Sequence, residues 1–485
     1  MFSLSRRNLL SSMLFLPAVL RGDTPGDTLF NGRTLAGWKA GENRHAFRVD
    51  GGNIASTGSR GFLFYEGGGA SFKNFELAAE VMTEAGARSA LYFHTQFAPH
   101  GAPAKGFKVV IDNSWPVPGD CARTGSLAGL RGIYKPLAKD KEWLQLRVAV
   151  RAKQVQIWVN DTQVVDYVEP DPPIPAEVAP DGVLGHGTFA LGSQDARGKV
   201  LFRNFAVQPL ADDAAMTTDE RPVVDDIYRD LLHLHRRGFP VLDCHTHLKG
   251  GLTLPQALAN SRRLGIMYGI AINGGLGFPT TNDAAIEEYL ASMKGQPNFV
   301  ALQGEGREWV TLFSREAIAK FDYIFTDAMT FTNDQGKRVR LWIPEETGEI
   351  PDAEKFMDML VDRILGILNH EPIDIHANPT FLPDVIARDY DRLWTAERMQ
   401  KVIDAARAND IAIEINNRYR LPSPAFIKRA KSAGVKFSVG TNNGDADLGR
   451  IEYAVAMIKE CGLNPQDMFI PKPDGQRAAQ KRKGA

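Results

Sequence analysis

Between residues 28 and 210 apolar and polar positions alternate in short runs; between 223 and 473 longer apolar runs alternate with stretches of helical period. Successive side chains on a strand point to opposite faces, so a period of two marks half-buried strands. Such runs fall at 75–81, 90–94, 107–111, 144–150, 155–159 and 200–207, with Gly, Asn, Asp and Pro between them. Short strands so punctuated predict an all-β sandwich or jelly roll. Asn160-Asp161, between QVQIWV and TQVVDY, predicts a tight hairpin, and the Pro-rich stretch 170–180 a long loop.

The second region predicts strands in PVLDCHTH, YGIAING, FVALQGEG, YIFTDAMTF, IDIHANP, AIEINN and KFSVGTNN. Helical patterns at 254–264, 283–294, 353–368, 396–408, 425–433 and 448–460 lie between them. Alternating βα units give parallel strands. Seven of them suit a (βα)7-type distorted TIM barrel better than a doubly wound sheet, though periodicity alone does not separate the two. The expected class is therefore multidomain, an all-β jelly-roll sandwich (28–210) followed by an α/β barrel (223–473). The polar stretch ADDAAMTTDERP (211–222) reads as a linker, and 474–485 as a short, solvated basic tail.

The chain has 485 residues, and its 57 Lys+Arg balance 58 Asp+Glu. That balance favours neither nucleic acid nor an anionic membrane surface as partner. Cys121, Cys244 and Cys461 are too scattered for a zinc knuckle or a disulfide framework. Residues 1–24 contain SRRNLL followed by an apolar stretch at 9–20, which fits a twin-arginine export signal and is too short to span a bilayer. The expected location is periplasmic or extracellular, with no stable membrane insertion.

Candidate chemistry gathers at the ends of the second region's strands, where barrels carry their functional groups. Asp243, His245 and His247 share one strand face, and two imidazoles with a carboxylate suit a divalent metal. Later ends supply Asn273, Glu305 and Glu308, Asp327, His376 and Asn378, Glu414 and Asn416, then Asn442 and Asn443. Buried polar groups are costly unless partnered, so a packed core would not place them there so regularly. Arg307 and Arg340 are nearby cations able to hold an anionic group or to pair with Glu305 or Glu345.

Residues 239–473 resemble the polymerase-and-histidinol-phosphatase (PHP) family of metal-dependent phosphoesterases. DCHTHLKGG is similar to its His-x-His motif, LQGEGREW to its Gly-x-Glu motif, DIHANP to a later His motif, AIEINN to its Glu-Ile-Asn strand, and SVGTNNGDADLGR to its closing motif. The resemblance implies metal ligands at His245, His247, Glu308 (with Glu305 second) and His376, with Asp327 an alternative. Asn273-Gly274-Gly275, Thr326-Asp327-Ala328, Asn442 and Gly444 stand where the family has further ligands, so its three-metal cluster is incomplete. One divalent ion (Zn, Mn or Co) is the remaining expectation.

Residues 28–210 resemble the 3-keto-disaccharide hydrolase family, a concanavalin-like jelly roll. The resemblance is carried by LFNGRTLAGWK, ALYFHT, KGFKVVIDNS, RTGSLAGL, EWLQLRVAVRAKQVQIWVNDTQVVDYVEP and FALGSQDARGKVLFRNFAVQPL. It implies a carbohydrate partner and a definite chemistry. A C3 ketone acidifies the C2 hydrogen, a base removes it, the C1 glycosidic bond breaks by elimination, and water adds afterwards. Lys108 replaces the family's strand Glu and Gln194 its later His. His94, Lys108, Asp112, Arg123 and Gln194 are the expected sugar-binding residues, with Trp38, Trp115 and Tyr134 as stacking surfaces.

Together these readings predict an exported hydrolase or lyase of 3-keto-glycosides. The sandwich holds sugar, and Glu305, Asp327 and Arg307 act catalytically in the barrel beside the metal. Three alternatives stand: catalysis in the sandwich, a carbohydrate-binding module on a degenerate barrel, and a metal-dependent phosphoesterase.

Overall fold

The computed structural model describes residues 26–177, 179–194, 198–333 and 335–481. The expected export signal lies outside these residues.

The first half is a sandwich of two antiparallel sheets. The larger sheet includes Phe75–Thr83, Leu144–Arg151, Gln154–Val159, Thr162–Val168 and Val200–Pro209; the smaller, five-stranded sheet is ordered Trp38–Ala40, Gly61–Tyr65, Thr188–Ser193, Ser89–Thr95, Phe107–Ile111. Phe75–Thr83 alternates buried and half-buried positions along its length, as its apolar pattern requires. The hairpin at Asn160 forms, with Asn160 at φ 53°, a backbone region that Asn tolerates better than most residues. The strands Asn53–Ser56 and Thr188–Ser193 are too short or too uniformly buried to announce themselves by alternation.

The second half contains a closed barrel of seven parallel strands. They are Leu242–Thr246, Met267–Gly274, Phe299–Gly304, Tyr323–Thr326, Ile375–His376, Ala412–Asn416 and Phe437–Gly440. Helices including Leu254–Leu264, Ala353–His370, Ala396–Ala408 and Pro424–Ser432 pack around it. The expected long strand in YIFTDAMTF is divided, because Thr330–Thr332 leaves the barrel and pairs with Arg338–Arg340 as a hairpin.

The two halves share their packing. The sandwich loop after Phe107–Ile111 enters the N-terminal end of the barrel, where Cys121 and Tyr134 join one apolar cluster with Leu242, Cys244, Met267, Phe299, Tyr323 and Phe325. The Tyr134 hydroxyl accepts from the Val241 amide at 2.9 Å, and its amide faces Met267 Sδ at 3.4 Å. Trp115 Nε1 donates to the Pro471 carbonyl at 2.6 Å, and Lys135 pairs with Asp322 at 2.7 Å. Helix Asp226–Arg236 lies between the halves, with Tyr228 and Leu232 in the sandwich core and Leu231 and Leu234 in the barrel core. The stretch expected as a linker is tied down as well, since Asn74 donates to the Ala211 and Asp212 carbonyls and the Thr217 amide donates to Gln154.

The tail departs from the solvated terminus expected of it. Ala478 and Ala479 are buried, the Ala479 amide donates to Asp374, and Arg477 donates to the Ala319 carbonyl. All three cysteines are free and buried.

Tyr134→Ala should lower the stability of the whole chain by about 3–5 kcal/mol, the cost typical of deleting a buried aromatic ring. Urea unfolding followed by fluorescence measures it, and a loss confined to one half would show that the plug does not couple the two.

Candidate functional site

The barrel's C-terminal end holds a connected set of buried polar side chains. His245, at the end of the first barrel strand, faces Glu414 Oε1 through Nδ1 at 2.7 Å and Gln303 Oε1 through Nε2 at 3.2 Å. Asn273 donates to both Gln303 (3.0 Å) and Glu305 (2.9 Å), and Thr330 donates to Glu305 at 3.2 Å. Asn378 links the other side. Its side-chain Nδ2 donates to Asp327 at 2.7 Å, its backbone amide donates to Glu414 at 2.7 Å, and its side-chain Oδ1 accepts from Asn416 and Asn442.

Asn378 and Asn442 both have positive φ, 45° and 51°, in the left-handed region where Asn is less strained than most residues. Such strain concentrates where a side chain must be aimed. Gly440 has a different role. A Cβ there would lie 2.0 Å from Glu414 Oε1 and 2.7 Å from His245 Cβ, so only glycine leaves room for that pair.

Burial pushes the Glu305 carboxyl up to about 8, reinforced by the neighbouring Asp327 carboxylate. Burial also raises Asp327. Burial alone would raise Glu414 too, but His245 and the hydrogen bonds it accepts hold it below its usual range. Two adjacent carboxyls that resist ionising together can divide acid and base roles between them. Glu305 is 4% exposed and Asp327 3%, while Asn273, Arg307 and Lys249 reach partly into solvent above them. Cavities of about 400 and 780 Å³ at the domain junction are lined by none of these groups.

Other expected residues have different surroundings. Arg307 pairs with Glu371 at 2.6 Å and donates to the Asp327 carbonyl at 2.7 Å, so it braces the strand end instead of standing free. Arg340 pairs with Glu346, not Glu345. Asp243 accepts from the Thr441 and His245 amides and fastens the closing strand, so it does not extend the ligand face of His245 and His247.

The four expected metal ligands do not form a set. Glu308 is held by Arg338 on the hairpin beside the barrel, and both His245 nitrogens face protein oxygens. His247 Nδ1 meets the Ala271 carbonyl at 3.0 Å. Of the expected ligands, His247 Nε2 and the two His376 nitrogens make no close hydrogen bond, although Gln303 lies near His247 and the Thr326 backbone near His376. Among the described residues no three His, Cys, Asp or Glu side chains gather closely enough to hold an ion. The four expected ligands therefore do not come together as one set, and the chemistry derived from this geometry uses no metal.

In the sandwich, Lys108 pairs across the sheet with Tyr92, and Gln194 hydrogen-bonds the Tyr92 phenol, so the two residues that depart from the resembled pattern meet on one face. Burial pushes Tyr92 up to about 12 and Lys108 below its usual value. Phe62, Phe64, Ala90 and Ala190 share that face beneath Phe97 and Ala98. Asp112 lies at its edge but is consumed by ion pairs with Arg88 and with fully buried Arg123, which also holds the Cys121 and Asp120 carbonyls.

Arg123 therefore anchors the plug and offers nothing to a ligand. His94 is a packing residue: Nε2 meets the Lys73 carbonyl at 2.8 Å, Nδ1 accepts from the Gly185 amide, and burial lowers it to about 4. The three expected stacking surfaces are packing residues too: Trp38 and Tyr134 are buried in the cores, and Trp115 is fixed at the domain junction.

Residues 26–208 match the family model of the 3-keto-alpha-glucoside-1,2-lyase-like domain. The matched segment contains nearly all of the sandwich, and the barrel lies beyond it, so the match says nothing of the barrel. A candidate glycosyl hydrolase from Parabacteroides distasonis is 20% identical over 38% of this chain and 93% of its own, with a TM-score of 0.30. The carbohydrate-binding module CBM66 from Bacillus subtilis is 17% identical over 36% and 95%, with a TM-score of 0.26. The VIP36 exoplasmic/lumenal domain in its Ca2+/Man-bound form is 10% identical over 41% and 98%, with a TM-score of 0.30. Among curated proteins none matches the chain.

The motifs led to His245, Glu305, Asp327 and His376, but gave no role to Gln303, Tyr92 or Gly440. Gln303 is the one polar residue in the run FVALQG, which was the available signal.

Two outcomes check this geometry. Gly440→Ala should destabilise the fold by about 1–3 kcal/mol, read from urea unfolding, by wedging His245 from Glu414. Glu305, raised from its usual 4.5 to about 8, binds its proton more tightly folded than unfolded. Its contribution is complete below 4.5 and is lost as pH rises through about 8, so Glu305→Gln should flatten the fall in melting temperature across that window.

Proposed function

We propose that the chain is a hydrolase or lyase acting on glycosidic bonds of 3-keto-glycosides, with its proton transfers made by Glu305 and Asp327 at the barrel mouth. The observation that carries this reading is the buried pair itself, two carboxyls beside each other of which one keeps its proton near neutral pH. Elimination at a 3-keto sugar needs one base for the C2 hydrogen and one acid for the departing C1 oxygen. Asp327, fixed by Asn378 and the Met329 amide, supplies the base, and protonated Glu305 supplies the acid. The match of residues 26–208 supports the substrate class.

In this reading the Tyr92, Lys108 and Gln194 face binds carbohydrate separately. The sandwich plugs the barrel at the end opposite Glu305, so that face anchors a neighbouring unit or chain instead of completing the catalytic site. Export by the twin-arginine route belongs to the same proposal, and cell fractionation with Arg6→Lys and Arg7→Lys tests it.

The deciding assay is turnover of 3-keto-glucosides by the full chain. Glu305→Gln should lower kcat by about 100-fold or more, while Lys108→Met should raise KM with kcat retained. The reverse pattern would move catalysis into the sandwich. A second reading, a resident divalent ion, is favoured by the buried His247 and His376 nitrogens that make no close hydrogen bond. Elemental analysis tests it: about one equivalent, lost in His247→Ala, would establish it, and absence from both would end it.

A further inference from the structure

We propose that Lys249 and Arg418 form an anion subsite at the barrel mouth, which takes the acidic group of the sugar substrate, a carboxylate or a phosphate. This deepens the reading above and rests on it for the sugar. Lys249 follows the first barrel strand and Arg418 the sixth. Arg418 and Glu305 are the charges that bear on the half-buried Lys249, and both cations flank the 442–446 loop, Lys249 through its neighbour Gly250 and Arg418 directly, which brings them together at the mouth near Glu305.

Two further contacts fix the rim. Gly250 packs so closely on the next loop that a Cβ would lie 2.7 Å from the Ala446 amide. The Arg418 guanidinium rests against Gly444, 3.1 Å from where a Cβ would be, and reaches the Asn442 carbonyl at 3.5 Å.

Neither cation makes an ion pair among the described residues. The nearby Asp445 carboxylate accepts from the Asp447 amide, and Arg420 stacks over Tyr453, so neither forms an ion pair with Lys249 or Arg418. Elsewhere on this chain arginines and lysines are commonly matched: Arg307 with Glu371, Arg338 with Glu308, Arg340 with Glu346. Holding two like charges together without an ion-pair partner is unfavourable, and an anionic ligand relieves it. A guanidinium beside an ammonium also matches the oxygens of a carboxylate or phosphate.

The test is binding, which needs no turnover. Calorimetric titration of the full chain with glucose, glucuronate and glucose 6-phosphate should show the acidic sugars binding about tenfold or more tightly than glucose, with the preference falling as salt rises. Whichever acidic sugar binds more tightly identifies the group. The preference should vanish in the Lys249→Met/Arg418→Met double variant and persist in Lys249→Arg/Arg418→Lys, which separates lost charge from lost fold.

Equal binding of charged and neutral sugars, no binding of either acidic sugar, or a preference that survives the double methionine variant would overturn the subsite. A preference that holds while Glu305→Gln leaves turnover intact would instead overturn the catalytic assignment alone.

Discussion

A closed barrel of seven strands has an interior that its own side chains must fill, and here they do not fill it alone. Tyr134 and Cys121 come from the sandwich and complete the apolar cluster at the N-terminal end, where Tyr323 also donates across the barrel to the Cys244 carbonyl at 2.7 Å. Gly269 admits that tyrosine, since a Cβ there would lie 1.9 Å from its hydroxyl. Because dense packing transmits displacement, the junction cluster fixes sandwich and barrel in one orientation. The plug also seals one barrel end, so polar chemistry gathers at the other.

At that other end the limiting cost is burying charge. His245, Glu414, Glu305 and Asp327 are all nearly inaccessible, and isolated charges there would be prohibitive. The chain meets this cost with amides. Asn378 alone serves Asp327, Glu414, Asn416 and Asn442, and Asn273 serves Gln303 and Glu305. Glu414 gains enough from His245 and these donors to stay ionised, whereas at Glu305 burial and the neighbouring Asp327 carboxylate outweigh Asn273, Thr330 and Arg307, and it keeps its proton. Fully connected polar networks of this kind hold side chains in one geometry, which acid–base chemistry requires.

The sandwich departs from its resembled family where that family places a Glu and a His, yet the two substituted residues still converge. Lys108 and Gln194 both meet Tyr92 on a sheet face that is otherwise apolar. A lysine and an amide there keep hydrogen-bonding capacity for carbohydrate hydroxyls while removing the carboxylate and imidazole. The buried Asp112–Arg123 pair serves another purpose, holding the base of the loop that reaches into the barrel.

Much of this was legible in the sequence. Period-two alternation at 75–81 and 107–111 determined half-buried strands, and alternating βα patterning determined seven parallel strands, because those periodicities follow from backbone geometry alone. The polar residues ending those strands marked the barrel mouth. Only the tertiary structure decided which of them act together. Glu305 and Glu308 lie three residues apart in one motif, yet one is buried beside Asp327 and the other pairs with Arg338 near the surface, a difference set by the hairpin at Thr330–Thr332. Tyr134 looked like a sugar-stacking residue because an aromatic side chain serves a binding face and a core equally well. Its place in the barrel was decided by contacts with Val241 and Met267, more than a hundred positions away, which no local pattern encodes.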